Sequence, residues 1–152
     1  MQQGMSKHSI ATRTNGFALL EVLIAVVVLS IGLLGIAGLQ ANGLRGNYSA
    51  YLRSQATVYA NDIIDRMRAN RVNALAGAYN LALTAAPSGA GIAQTDLTQW
   101  RSQVTANLPS GKSSTNFAGG KVTVVVQWDD SHASGDAVTG NASQQVIVET
   151  GL

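Results

Sequence analysis

The residues whose types and spacing could do chemistry stand near the start of the chain: Gly16, Phe17 and Glu21, in the run Thr14-Asn15-Gly16-Phe17-Ala18-Leu19-Leu20-Glu21. Glu21 is a carboxylate just inside an apolar stretch that holds no further ionisable side chain until Arg45. A carboxylate in hydrocarbon costs on the order of a few kcal/mol and is normally paired. No Lys or Arg follows for about six helical turns, and Phe17, one turn back, is apolar. If the chain were cut after Gly16, Phe17 would carry a free ammonium group at the membrane edge, and one Glu would neutralise it. The alternative is a Glu near a helix N-terminus favouring the macrodipole, worth about 0.3–1 kcal/mol.

The element that must position these groups is the stretch from Gly16 to Leu44. As a helix, Val22 to Leu39 alone rises about 27 Å, close to the roughly 30 Å of a bilayer core. The segment is therefore long and apolar enough to span a membrane. After Leu44 the pattern turns amphipathic with no Pro or turn signal: Leu44, Tyr48, Leu52, Ala56, Tyr59, Ile63 and Met67 step by three or four and form one stripe. One helix is expected from Phe17 to about Ala74, on the order of 85 Å long, so its second half must be the spine of a globular head. Asp62 with Arg66, and Asp65 with Arg68, have the spacing of intrahelical ion pairs worth about 0.2–0.5 kcal/mol each.

Length and composition agree with one small head on a membrane segment: 152 residues, 46% hydrophobic and 12% charged. Cysteine is absent, which removes disulfides as staples. Residues 1–16 carry Lys7 and Arg13 but no apolar core, so they are not a complete secretory signal. An ordinary signal-peptidase site would have to follow the apolar run, with Ala41-Asn42-Gly43 a passable candidate, but Glu21 has no use in such a signal. Loss of residues 1–16 would leave eight of the ten basic side chains against eight acidic ones. Near-neutrality argues against nucleic acid as a partner, because that binding depends on surplus positive charge.

The arrangement of a short basic leader ending in Gly, then Phe, then Glu four residues on within an apolar helix resembles the class III signal of type IV prepilins. The resemblance implies that prepilin peptidase cuts between Gly16 and Phe17 and methylates the new amine. It also implies that Glu21 supports methylation and pairs with the Phe17 amine of a neighbouring subunit during assembly. Ser30 to Gln40, Ser49 to Ala56 and Asp65 to Arg71 are further similar to signatures of the PilV group of minor pilins. Orientation is nearly undecided by charge, since Lys7 and Arg13 upstream are balanced by Arg45 and Arg53 downstream. The resemblance places the leader in the cytoplasm and the head outside the inner membrane. Many pilins close a C-terminal loop with a disulfide, from which this chain departs. Gly32, Gly35 and Gly38 each cost about 1 kcal/mol against Ala in a helix interior. They read either as close helix packing or as a soft segment that loses helical order on entry into a filament.

The second half of the chain is expected to complete the head. Thr84 to Gly91, with Pro87, reads as loop. Asp96 can cap a short helix over 96–108, with Gln99 in a capping-box arrangement and Leu97, Trp100, Val104 and Leu108 on one face. Pro109-Ser110-Gly111 ends it. Residues 121–129 and 145–150 are β-branched and read as strands, with Val122, Val124, Val126 and Trp128 on one face. A third strand is expected to begin near Asn116 or Phe117. The 130–143 connection is too long for a tight hairpin.

The fold class expected is therefore α+β and type IV pilin-like: a long N-terminal helical spine packed on a small antiparallel sheet. The division is leader 1–16, membrane or filament-core half of the helix 17–44, and periplasmic head 45–152. No catalytic Ser with a base, phosphate-binding loop or paired carboxylates is visible, so no enzyme activity and no cofactor are expected. Asp129, Asp130, Asp136 and Asn141 match no calcium loop and read as solvated turn residues; with His8 and His132 the only histidines, no metal site is expected. Arg66, Arg68 and Arg71 read as a solvated face neutralised by Asp62 and Asp65, and Trp100 as core.

The function expected is that of a PilV-like minor pilin that primes or tips a type IV pilus and supports twitching or adhesion. Its partners would be prepilin peptidase, other minor pilins and the major pilin, the inner-membrane assembly platform and membrane lipid. Three alternatives stand beside it: a minor pseudopilin of type II secretion, a tip-located adhesin or DNA-binding module using the 130–143 loop, and a signal-anchored periplasmic enzyme.

Overall fold

The computed structural model describes residues 15–133 and 140–152. The elements run α1 (Asn15–Ala69), α2 (Arg71–Leu75), α3 (Gly91–Asn107), β1 (Lys112–Ala118), β2 (Lys121–Trp128) and β3 (Gln144–Gly151). Two compact units divide the chain, Met1–Ala41 and Asn42–Leu152.

The first unit holds the apolar part of α1. Its side chains from Ala18 to Ala41 are all exposed. The hydroxyl of Ser30 is satisfied internally by donating to the Val26 carbonyl at 2.6 Å, a bond that lets a polar residue sit in an apolar helix.

The second unit is the expected α+β head, with α1 packed on a small antiparallel sheet. The buried face of α1 runs through Ser49, Leu52, Ala56, Ala60, Ile63, Ile64 and Met67, recurring at helical spacing. Tyr59 is only half-buried, and the expected stripe fails earlier: Leu44 and Tyr48 are exposed. The periodicity continues N-terminally beyond Ser49, but among the described residues no other head element covers those turns.

The expected single helix to Ala74 is broken at Asn70, whose φ of −114° and ψ of 46° leave the helical region. Asn70 gains compensation: its side-chain amide donates to the Tyr79 hydroxyl at 3.2 Å, and its carbonyl oxygen accepts from Asn73 at 2.7 Å. An Asn readily exchanges helix geometry for such local bonds.

Helix α3 starts at Gly91, five residues before the expected cap. Its N-cap is Ala90, with no side-chain cap bond, so Asp96 is not a capping residue. The expected apolar face holds: Leu97, Trp100, Val104 and Leu108 are buried, joined by Ala93. The Trp100 indole donates to the Tyr59 carbonyl at 2.8 Å, which fixes α3 against α1 and confirms a core position. The chain then turns through Ser110, at a positive φ of 49°, and Gly111, which is buried where the backbone passes close to the Val104 carbonyl.

The sheet has the order β1-β2-β3, all antiparallel. Strand β1 begins at Lys112, four residues before the expected start, because Ser113 and Thr115 are buried polar positions that carry no hydrophobic signal. Gly119 and Gly120, both with positive φ, form the two-residue turn to β2, the geometry a tight hairpin needs. Val122, Val124, Val126 and Trp128 are buried as expected. Each buried Val contributes about 1.5–3 kcal/mol relative to exposure.

Candidate processing and assembly site

Asn15, Gly16 and Phe17 form the start of α1, and Glu21 follows one turn after Phe17. Asn and Gly are weak helix formers, so opening this first turn to expose the Gly16–Phe17 peptide bond costs little. Glu21 is exposed, and the ion pairs among the described residues do not include it: they join Arg66 to Asp62 and Asp96, and Arg68 to Asp65. Its i to i+4 relation to Phe17 places the two residues on one helical face.

The rest of the apolar run is exposed as well. Leu19, Leu34 and Leu39 are each about three-quarters exposed, at 75%, 75% and 74%. At Gly32, Gly35 and Gly38, an added Cβ would meet nothing within 4 Å. The cost of three helical glycines is thus not recovered by packing among the described residues.

The expected Asp62–Arg66 and Asp65–Arg68 pairs form, but the links from Arg66 to α3 and the burial of Asp130 were not foreseen. Arg66 donates to Asp62 at 3.1 Å, to Asp96 at 3.4 Å and to Gln99 at 3.0 Å, while the Tyr79 hydroxyl donates to Asp96 at 2.6 Å. Burial works against the charge on Arg66, but its hydrogen bonds and ion pairs to Asp62 and Asp96 hold its pKa above the usual value. Burial first, and the Asp96 hydrogen bond second, push the Tyr79 phenol up. The cluster ties α1 to α3. It flanks a surface cavity of about 270 Å³ lined by Arg66, Ala69, Asn70, Ile92 and Asp96.

The second is Asp130. Expected as a solvated turn residue, it is 2% exposed, and one carboxyl oxygen accepts from the Ser49 hydroxyl at 2.5 Å. Its backbone N–H donates to the Asn141 carbonyl at 3.0 Å, so the two ends of the β2–β3 connection are tied together and to α1. Asp129 behaves as expected, with its carboxyl held below the usual range by hydrogen bonds from Ser131. Asp136 lies outside the described residues. Among the described residues, no three His, Asp or Glu side chains gather in metal-binding geometry.

The arginine face is internally occupied: Arg66 and Arg68 are ion-paired, and Arg71 donates to the Leu152 carbonyl at 2.9 Å. A second cavity, of about 370 Å³, is lined by residues 80–83 and 114–116, none of them charged.

The model of the prokaryotic N-terminal methylation motif matches residues 12–37, which include Gly16, Phe17, Glu21, Gly32 and Gly35. No curated protein and no solved structure matches the chain. The motif supports a type IV pilin or pseudopilin, a generally non-enzymatic class, and implies processing by prepilin peptidase and assembly with other pilins.

Proposed function

We propose that this chain is a PilV-like minor pilin, cut between Gly16 and Phe17 by prepilin peptidase, methylated at Phe17, and assembled with other minor pilins to prime or tip a type IV pilus. The observation that carries the reading is the coincidence of the methylation motif with a helix whose apolar side chains from Ala18 to Leu39 are all exposed among the described residues. Such a surface needs lipid first and neighbouring helices later. In this reading residues 17–44 cross the inner membrane from a cytoplasmic N-terminus, the head is periplasmic, and Glu21 sets register by pairing with the Phe17 amine of the adjoining subunit. Gly32, Gly35 and Gly38 let the helices approach closely.

The test is the intact mass and N-terminal sequence of the protein from native membranes, in cells with and without prepilin peptidase. A chain starting at methylated Phe17 only in peptidase-positive cells is expected. A chain starting at Met1, or cut near Gly43, in both strains would remove the basis of the filament model.

A further inference from the structure

Between Glu21 and Asp62 the chain holds only two charged side chains, Arg45 and Arg53, and both are exposed. The arginines further along are engaged: Arg66 and Arg68 form ion pairs, and Arg71 donates to the Leu152 carbonyl. Among the described residues neither Arg45 nor Arg53 is in an ion pair. Leu44, Tyr48 and Tyr51, interleaved with them, are 71%, 49% and 56% exposed.

These five residues begin where the apolar run ends. As a helix, Val22 to Leu44 rises about 34 Å, against roughly 30 Å of bilayer hydrocarbon. With that run across the hydrocarbon, Arg45 enters the headgroup layer, which is about 5–7 Å deep on each side. Tyr48 then stands about 5 Å beyond Arg45, Tyr51 about 9 Å and Arg53 about 12 Å. Tyrosine favours this level because its ring is apolar and its hydroxyl polar, and arginine reaches a phosphate while its stem stays in apolar surroundings.

Their angular spread bears on what surrounds them. Measured from Ser49 on the buried face, Arg45 lies about 40° to one side and Arg53 about 40° to the other. Tyr48, Leu44 and Tyr51 follow on the side of Arg45 at about 100°, 140° and 160°. The set covers roughly 200° of the helix, whereas an amphipathic stripe that meets one neighbouring element is about 100° wide. Such a collar suits a medium that encloses the helix, and its two uncompensated cations call for anions in that medium.

We propose that Arg45, Tyr48, Tyr51 and Arg53 form a binding collar for anionic phospholipid headgroups, an inference that rests on the membrane reading of residues 17–44 above. Arg45 is the phosphate ligand, its guanidinium fork matching two phosphate oxygens. Arg53 stands at the surface of the headgroups and adds a longer-range attraction. A zwitterionic lipid offers a phosphate too, but its own ammonium cancels the field that the arginines read. The collar therefore selects lipids by net charge.

The chain has no cysteine, so one fluorophore can be attached at Asn47→Cys, an exposed position among the collar residues. The full-length chain is placed in vesicles of phosphatidylcholine and phosphatidylglycerol in equal parts. The ratio of quenching by spin-labelled phosphatidylglycerol to that by spin-labelled phosphatidylcholine gives the local lipid preference; Lys7 and Arg13, before the apolar run, are out of contact range. Phosphatidylglycerol should be favoured about fivefold, the effect of one cation held near an anionic surface. Arg45→Gln should remove most of the preference, and adding Arg53→Gln the remainder. At about 1 M salt, where the Debye length is about 3 Å, the preference of the otherwise wild-type chain should fall at least about twofold. Equal quenching by the two lipids, or a preference that survives both substitutions, would overturn the proposal. Both Gln variants should keep the wild-type melting temperature; if they melt early, the salt dependence decides, and a preference unchanged by salt overturns the collar. A fluorophore at Leu33→Cys separates the two readings. No quenching by lipid at Leu33 would overturn the membrane reading and the collar with it, whereas quenching at Leu33 without preference at Asn47 would overturn the collar alone.

Discussion

The Ser49–Asp130 bond joins residues 81 positions apart and is buried at both ends, so its contribution can be isolated by a double-mutant cycle. Ser49→Ala removes the donor and leaves the second Asp130 oxygen without a partner beside the first, which already has none among the described residues. Losing a buried hydrogen bond and stranding its acceptor costs about 1–3 kcal/mol. Asp130→Ala strands the serine hydroxyl and opens a small void, for about 2–3 kcal/mol. The double variant strands neither group, so its cost should fall short of the sum by about 1–2 kcal/mol. Each single change should lower the melting temperature of the head by roughly 5–10 °C. Trp100 and Trp128 are both buried, and their fluorescence reports the transition in detergent-solubilised full-length protein. Additive losses, with a coupling below about 0.5 kcal/mol, would show that the two side chains do not support each other, and would refute the view that the β2–β3 connection is clasped to α1.

Glu21→Ala should leave the protein at wild-type levels in the membrane while abolishing its recovery in sheared pili; immunoblots of both fractions check this, and normal recovery would count against the pairing of Glu21 with Phe17. Because the Tyr79 phenol titrates above its unfolded value of 10.0, its stabilising effect should be complete below that pH and be lost as pH rises through the folded pKa. Unfolding curves between pH 9 and 12 should therefore steepen in pH dependence for wild type relative to Tyr79→Phe, and parallel curves would contradict the assignment. Gly111→Ala should cost at least about 2 kcal/mol in denaturant unfolding, since its Cβ would run into the Val104 carbonyl of the backbone, which cannot rotate away.

What was legible in the sequence was whatever repeats locally. The alternation of Val122, Val124, Val126 and Trp128 carried its own burial, and the spacing of Leu97, Trp100, Val104 and Leu108 drew the face of α3 before its ends were known. The uncharged run behind Glu21 identified the apolar helix, and the Gly16-Phe17 junction identified the motif that residues 12–37 match. What failed depended on distant partners. Asp96 and Gln99 have the spacing of a capping box, but Tyr79 and Arg66, 17 and 30 residues away from Asp96, claim its carboxylate instead. Asp130 looked like any turn aspartate because nothing in its neighbourhood announces Ser49. Leu44 and Tyr48 erred in the other direction: their period is helical, yet burial needs a second surface, and among the described residues none of the head's elements reaches their turns.

The two contacts that close the head at its ends, Ser49 to Asp130 and Arg71 to the Leu152 carbonyl, each span 81 residues. Contacts of such separation form late, since the intervening chain must lose its freedom before they reward it. If the first helix is held in a bilayer, as proposed above, this sets an order of events: α1 can be anchored and helical while its head-side face, Leu52 to Met67, still lacks the strands that cover it. Until Asp130 and the strand after it have joined the head, that face is open to capture by other apolar surfaces. The interval between anchoring and strand arrival, more than the finished fold, is where a chaperone or a waiting subunit would have its opportunity.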